Sequence, residues 1–104
     1  MLANVTEVRG SVADFEAAAG MAAESLLSWL REFDGYRGFI VLADEEGGTA
    51  RFMTFWADRH ALEKSAQGRK EVRERLAQTA GVDIESARAY TVLMVDGFEG
   101  YAGT

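Results

Sequence analysis

Few side chains in this sequence are of types that take part directly in catalysis, and two of them stand out. Histidine is the side-chain type that exchanges protons most readily near neutral pH, so His60, the only histidine, is a candidate acid–base group. Arg51 stands in an otherwise apolar stretch, which makes it a candidate anchor for an anionic or carbonyl substrate. Structural alternatives stay open for both: His60 as an exposed residue in the first turn of a helix, and Arg51 as an end-of-strand residue that reaches solvent or pairs with an acid.

A second group of polar and aromatic side chains could line a small-molecule site. Trp56 offers an indole N–H on a large apolar ring, although its alternative role is plain core packing. The other members could each donate or accept one hydrogen bond, while each alone is more often structural. The candidate ligand-binding residues are Asn4, Tyr36, Thr54, Trp56 and Tyr90. Apolar walls with a few polar groups are the usual composition of such a site.

Several classes of function lack the residues they need. The chain has no cysteine, which excludes disulfides, thiolate metal sites and a cysteine nucleophile. It also lacks metal-ligand spacing, a phosphate-binding loop and a nucleophile–base constellation, so we expect no metal site and no bound cofactor. The net charge of −6 argues against nucleic acid or an anionic membrane as the main partner, because both need a positive surface.

The N-terminal sequence MLANVTEVRG lacks the basic and apolar segments of a signal peptide. The longest uninterrupted apolar run, from Phe39 to Ala43, is far too short to span a bilayer. We therefore expect a cytoplasmic protein that does not enter a membrane.

The elements that must position these residues follow from hydrophobic periodicity and from the turn residues. The predicted elements are a strand over 2–9, a helix over 11–33, strands over 36–43 and 49–56, a helix over 59–79 and a strand over 86–95. The second helix has a thin stripe at spacings of three and four residues, made of Leu62, Ala66, Arg69, Val72 and Leu76. The order βαββαβ predicts a single α+β domain over 1–104 with ferredoxin-like topology, a core of about 2–96 and a flexible tail over 97–104.

The predicted hairpin is apolar on both faces. Period two places Tyr36, Ile40 and Leu42 on one face, and Phe39, Val41 and Ala43 on the other. Right-handed crossovers put both helices on the same side of the sheet, so they cover only one of these faces. An exposed apolar surface of this size marks an interface or a ligand cavity. We predict that a second copy of the chain covers it, sheet against sheet, in a two-fold symmetric homodimer.

The hairpin and its flanks resemble a known family. Gly35-Tyr36-Arg37-Gly38 precedes the second strand, and Trp56-Ala57-Asp58-Arg59-His60-Ala61-Leu62 follows the third. Both motifs resemble those of the antibiotic biosynthesis monooxygenase-like domain of the dimeric α+β barrel superfamily, and the resemblance covers about residues 2–96. It implies a four-stranded antiparallel sheet, a homodimeric barrel and the binding of a small hydrophobic or aromatic molecule.

The activity that the resemblance implies is that of a cofactor-independent monooxygenase, in which the substrate itself supplies electrons to oxygen. The quinone-forming oxygenases of the family have an Asn four residues before the Trp, and Phe52 holds that place here. Two alternatives stay open. One is a non-catalytic dimer with a filled barrel that acts in binding or regulation. The other is heme binding or degradation, although the places of the family's helical His and Trp fall near Arg75 and Ser65.

Overall fold

The computed structural model describes residues 1–97, which form strands and helices in the predicted order βαββαβ. The elements are β1 Leu2–Arg9, α1 Val12–Met21, a π-helical turn Ala22–Leu26, α2 Leu27–Leu30, β2 Tyr36–Asp44, β3 Thr49–Trp56, α3 Arg59–Lys64, α4 Ala66–Ala80 and β4 Asp83–Thr91. The strands form one antiparallel sheet in the order β2-β3-β1-β4. The predicted ferredoxin-like α+β fold is thus confirmed. The predicted tail lies, apart from Gly97, outside the described residues.

The start of the first helix follows the local sequence closely. Ser11 accepts a hydrogen bond from the Asp14 amide at 3.2 Å, and the Asp14 carboxylate accepts one from the Ser11 amide at 3.1 Å. This reciprocal capping box satisfies two amides that have no partner within the helix. α1, the π-helical turn and α2 then follow one another without a break in the chain and end at Leu30, three residues before the predicted end.

The helix predicted over 59–79 is interrupted at Ser65, which separates α3 from α4. The Ser65 hydroxyl is shared between the carbonyls of Ala61 and Leu62, at 3.1 and 3.0 Å. The Arg69 guanidinium also donates to the Leu62 carbonyl, at 2.7 Å. Side-chain donors therefore occupy a carbonyl that the regular helix would use, which is how serine competes with the helical ladder.

The last strand was predicted over 86–95 and lies instead at Asp83–Thr91. Its partner explains the shift, because β1 offers positions only from Leu2, opposite Thr91, to Arg9, opposite Asp83. The backbone bond from Val92 to Met1 is the last contact of this ladder. Apolar residues beyond it have no partner strand among residues 1–97, and Leu93 and Met94 are 93% and 85% exposed.

A β-bulge between Tyr36 and Gly38 changes one predicted face assignment. Tyr36 pairs with Trp56 and Phe39 pairs with Thr54, so the two ring systems of β2 lie on the same side of the sheet. The expectation that Tyr36 shares a face with Ile40 and Leu42 is wrong, because one extra residue in a strand reverses the alternation beyond it.

The sheet has two unlike faces. The covered face packs against the helices and includes the buried residues Leu2, Thr6, Val8, Ala50 and Trp56. The open face is the opposite side and includes Val5, Ile40, Leu42, Met53 and Tyr90. On the open face Leu42 and Tyr90 are 53% and 51% exposed. None of the helices between residues 1 and 97 is long and apolar enough to cross a membrane.

The core under the covered face is divided into two clusters. One surrounds Trp56 and Leu30 at one end of the sheet, and the other surrounds Phe15 and Val8 at the opposite end. Leu2 and Val8 of β1 belong to different clusters, and so do Trp56 and Ala50 of β3. The middle of both strands therefore lies between two packed regions.

Candidate functional site

A chamber of about 60 Å³ occupies this space between the two clusters. The sheet contributes Asn4 and Thr6 from β1, Phe39 from β2, and Phe52 and Thr54 from β3. The helices contribute Leu26, Leu30, Arg69, Val72, Arg73 and Leu76. Most of the walls are apolar, and the polar atoms come from two threonines, one asparagine and two arginines. This is the composition expected of a small-molecule site.

A larger open groove of about 330 Å³ lies outside the chamber, between the first helical segment and α4. Its outer residues are Met21, Ser25, Trp29, Arg75 and Thr79. Leu26, Val72 and Leu76 line both the groove and the chamber. These three side chains, which we call the partition, therefore lie between the groove and the chamber. Leu26 closes the π-helical turn, a local irregularity that is frequent at functional sites.

Arg69 is the buried charge of the chamber, with 9% of its surface exposed. Its Nε donates to the Ser65 hydroxyl at 2.8 Å, and its Nη2 donates to the Leu62 carbonyl at 2.7 Å. Burial lowers the pKa of the guanidinium to about 10, and the nearby charge of Arg73 acts in the same direction. The side chain therefore stays protonated at neutral pH while its charged form is less favoured than in water.

Trp56 lies directly behind the chamber and is fully buried. Its indole N–H donates to the Thr54 hydroxyl at 2.9 Å, and Thr54 itself lines the chamber. The rings of Phe33 and Tyr36 meet the indole edge to face, with centroids 6.0 and 5.9 Å away. The one polar atom of Trp56 is thus already paired, and the residue positions Thr54 from behind.

Asn4 and Thr54 face each other across neighbouring strands at the chamber wall. Within residues 1–97 no hydrogen bond joins the Asn4 carboxamide to another residue, and Asn4 lines the chamber. Asn4 lies on β1, which pairs with β3, the strand that holds Phe52. Phe52 occupies the place where the resembled oxygenases have their asparagine. The chain thus presents an amide to the same face from a different strand.

The structure places the other candidate residues elsewhere. Arg51 and Tyr90 lie on the open face, where Arg51 pairs with Glu7 at 3.2 Å and Tyr90 stands opposite Ala3. His60 is exposed in the first turn of α3. Tyr36 lies on the covered face but packs on Trp56 and does not line the chamber. The functional roles assigned to all seven residues stay predictions.

Sequence reasoning missed Arg69 as a site residue. It named Arg69 only as a member of the helical stripe, together with Val72 and Leu76. A cation at a stripe position was itself a usable signal, since buried charges are rare and cluster at functional sites. No group of three or more acidic or histidine side chains that could hold a metal ion occurs within residues 1–97.

The topology and the chamber define a class of protein: a small ferredoxin-like α+β domain with a cavity between its sheet and its helices. No family model and no curated protein sequence matches the chain. Solved structures do match it, and they identify the fold as that of the antibiotic biosynthesis monooxygenase-like proteins, as the hairpin motifs predicted.

Three of the matching structures illustrate the similarity. A monooxygenase from Streptomyces coelicolor, solved with nanaomycin D, is 17% identical, with a TM-score of 0.66 over 92% of this chain and 91% of that one. A cofactor-independent oxygenase from Streptomyces nogalater is 14% identical, with a TM-score of 0.64 over 91% and 95%. A proposed antibiotic biosynthesis monooxygenase from Deinococcus radiodurans is 18% identical, with a TM-score of 0.62 over 93% and 97%. At these identities the similarity establishes the fold.

Proposed function

We propose that this protein binds a small hydrophobic or aromatic molecule in the chamber and oxidises it as a cofactor-independent monooxygenase. The observation that supports the proposal is the chamber itself, in which the amide side chain of Asn4 and the buried guanidinium of Arg69 lie among apolar walls. The matching structures from the two Streptomyces species, a monooxygenase and a cofactor-independent oxygenase, have the same fold.

The reaction must balance without an external reductant. A substrate methylene next to a hydroxylated aromatic ring loses both C–H bonds and becomes a carbonyl, with its oxygen taken from O2. The second oxygen atom leaves as water, so the substrate supplies all four electrons. The protein excludes water with Phe39 and Phe52, orients the substrate, and stabilises the developing oxyanion through Asn4 and Arg69.

The position of the partition between the chamber and the groove suggests how a ligand larger than the chamber could bind. Ligand sites usually have volumes of at least roughly 300 Å³, which the chamber alone does not reach. The adjoining groove has that volume, and rotation of Leu26, Val72 or Leu76, which line both spaces, would join them. The reacting end of the substrate would then lie in the chamber and its apolar remainder in the groove.

Oxygen uptake measures the proposed activity directly. The purified protein would be supplied with hydroxylated aromatics that have an activated methylene, from one ring to three. We expect uptake of one O2 for each carbonyl formed. Val72→Phe enlarges a partition residue and should lower the rate at least about tenfold. Lys70→Gln changes an exposed residue of the same helix and should not. Uptake that is the same in the Val72→Phe protein would contradict the proposed location.

Two further variants test the residues that the sequence singled out as catalytic. If His60 is the acid–base group, His60→Ala should lower oxygen uptake although it lies outside the chamber. If Arg51 anchors the substrate, Arg51→Gln should raise KM. Unchanged kinetics in either protein would remove that residue from the proposed mechanism.

The rival function is a non-catalytic binding or regulatory protein with a filled interior. The chamber's small volume of about 60 Å³ is the observation in its favour. The same panel of aromatics decides between the two. Absence of both oxygen uptake and any ligand-induced rise in Tm across the panel would support the rival function.

We also propose that the chain forms a homodimer through the open face. Leu42 and Tyr90 expose about half of their surface there, beside Ile40 and Met53, and such apolar surface is usually covered. Light scattering at micromolar concentration should give twice the chain mass. Leu42→Glu should shift the mass to that of a monomer. Ala43→Glu, one residue along on the other side of the same strand, should not. A monomeric wild type would contradict the proposal.

A further inference from the structure

The charges that residues 1–97 place around the chamber are all of one sign. Arg69 and Arg73 both line it, and no aspartate or glutamate in this part of the chain does. The two ion pairs found within residues 1–97 join Arg9 to Glu85 and Arg51 to Glu7, so neither involves a chamber arginine. A protein with a net charge of −6 therefore has a locally positive interior.

Arg69 also has N–H groups that donate to no residue within 1–97. A guanidinium has five N–H groups in a planar fork. One of them is used on Ser65 and one on Leu62, through Nε and Nη2. Nη1 has no acceptor among residues 1–97, so three N–H groups stay free, including the Nη1/Nη2 pair that grips an oxyanion with two parallel bonds.

Burial makes this arrangement costly in the empty protein. A charge that is more than nine-tenths buried normally has an ionic partner, because desolvation is otherwise uncompensated. Among residues 1–97 the compensation consists of two neutral oxygens and the face of Trp56, whose centroid lies 5.5 Å from the guanidinium carbon. No fully buried side-chain nitrogen or oxygen in this part of the chain lacks a hydrogen-bond partner, so the N–H groups of Arg69 without an acceptor are accessible to a group from outside the chain.

We infer that the chamber is an oxyanion site, and that the natural ligand has a carboxylate or phenolate oxygen on an apolar body. The oxyanion binds the free edge of Arg69, within the field of Arg73. The apolar body lies against Phe39 and Phe52 and extends past the partition into the groove. This inference rests on the proposed ligand site and is independent of the proposed oxidation.

Pairs of carboxylates and their neutral amides test the inference without any turnover. Benzoate and benzamide, and isobutyrate and isobutyramide, have the same shape and differ in charge. Binding would be followed by NMR through the side-chain N–H signals of Arg69 and Trp56. We expect each acid to bind at least about tenfold more tightly than its amide, as for a hydrogen bond to a charged group. Benzoate should bind more tightly than isobutyrate.

Matched variants locate the effect. Arg69→Met should reduce the acid-to-amide preference to about one, and Arg69→Lys, which keeps the charge without the fork, should leave part of it. Lys70→Gln removes one positive charge from the solvent side of the same helix and should keep the full preference. The wild-type comparison alone is decisive if the Arg69 variants do not fold.

The possible results separate this inference from the proposed function. Equal affinity for acids and amides would overturn the oxyanion site while leaving a neutral ligand site in place. An equal loss of preference in Lys70→Gln and Arg69→Met would overturn it as well, because the effect would then be long-range. Binding of none of the four compounds at millimolar concentration would overturn both the oxyanion site and the proposed ligand site. 4-Nitrophenol, whose phenolate is coloured, distinguishes phenolate from carboxylate as the preferred oxyanion.

Discussion

The guanidinium of Arg69 lies over the ring of Trp56, with its central carbon 5.5 Å from the ring centroid. One residue comes from the stripe of α4 and the other from the end of β3, so the contact joins the helical layer to the sheet. The positive group meets the electron-rich face of the indole, which offsets part of its desolvation. Trp56 is in turn fixed by Thr54, and the three side chains form one continuous unit beside the chamber.

The unliganded protein should lose little stability when this charge is removed. Arg69→Met deletes two hydrogen bonds and the contact with Trp56, but it also removes a buried charge that has no ion pair within residues 1–97. The Leu62 carbonyl keeps a donor from Ser65. We expect the free energy of unfolding, measured in urea, to change by no more than about 1 kcal/mol. A loss of about 3 kcal/mol or more would show that Arg69 is retained for structure.

Thr54 should contribute to stability through the hydrogen bond that its hydroxyl accepts from the Trp56 indole. Thr54→Val keeps the shape of the side chain and removes the acceptor of the Trp56 N–H, which then lies unpaired in the core. We expect a loss of about 1–3 kcal/mol in the free energy of unfolding. Thr54→Ser keeps the hydroxyl and is the matched control.

A double-mutant cycle isolates the bond itself. Trp56→Phe removes the donor, so Thr54→Val should cost much less in that background than in the wild type. The same cost in both backgrounds would mean that Thr54 acts through packing alone.

The fold was predictable because each level of the sequence agrees with the next. Three signals give the same order of elements: the Ser11–Asp14 cap, the glycine turn before Thr49, and the spacing of the apolar residues. That spacing is two residues in the strands and three or four residues in the helices. The right-handed crossover rule also predicted correctly that the helices cover one face only.

The site was less predictable because it depends on features that periodicity does not encode. The bulge at Tyr36 moves this side chain to the opposite face of the sheet from the one that strict alternation predicts. The helix is interrupted at Ser65 by side-chain hydrogen bonds. The chamber arises where Asn4 and Thr54 fall between two clusters, which is a matter of register between distant strands. Asn4 and Thr54 were nevertheless named in advance, since polar residues on apolar strands are themselves a signal. Arg69 was named only as a stripe member.

Two helical glycines offer a matched test of the groove wall. A Cβ added at Gly68 would meet the Trp29 ring at 2.5 Å, whereas a Cβ at Gly20 would meet no atom of residues 1–97 within 4 Å. Gly68→Ala must therefore displace Trp29, which lines the groove. We expect a loss of about 1–3 kcal/mol in stability and a red shift of tryptophan fluorescence.

Gly20→Ala should instead gain about 0.5–1 kcal/mol, because alanine restricts the unfolded chain and suits a helix. If both glycine variants were stabilised equally, the close contact between α4 and Trp29 would be disproved.

Tyr36 gives the protein a specific sensitivity to alkaline pH. Burial raises the pKa of its phenol, and the positive charge of Arg31 opposes this only in part. The folded state therefore favours the neutral phenol. Its contribution to stability is complete below the ordinary tyrosine value of about 10 and is lost as the pH rises through the raised pKa. Wild-type protein should lose more stability than Tyr36→Phe between pH 9 and 11.

The ionisation itself can be followed without unfolding. The tyrosinate absorbance of the wild type minus that of Tyr36→Phe isolates the phenol that packs 5.9 Å from the Trp56 centroid. Its midpoint should lie above about 10, because the phenolate must form in partly desolvated surroundings. A midpoint at or below that value, or equal alkaline losses in the two proteins, would show that water reaches Tyr36 and that the aromatic cluster behind the chamber is open.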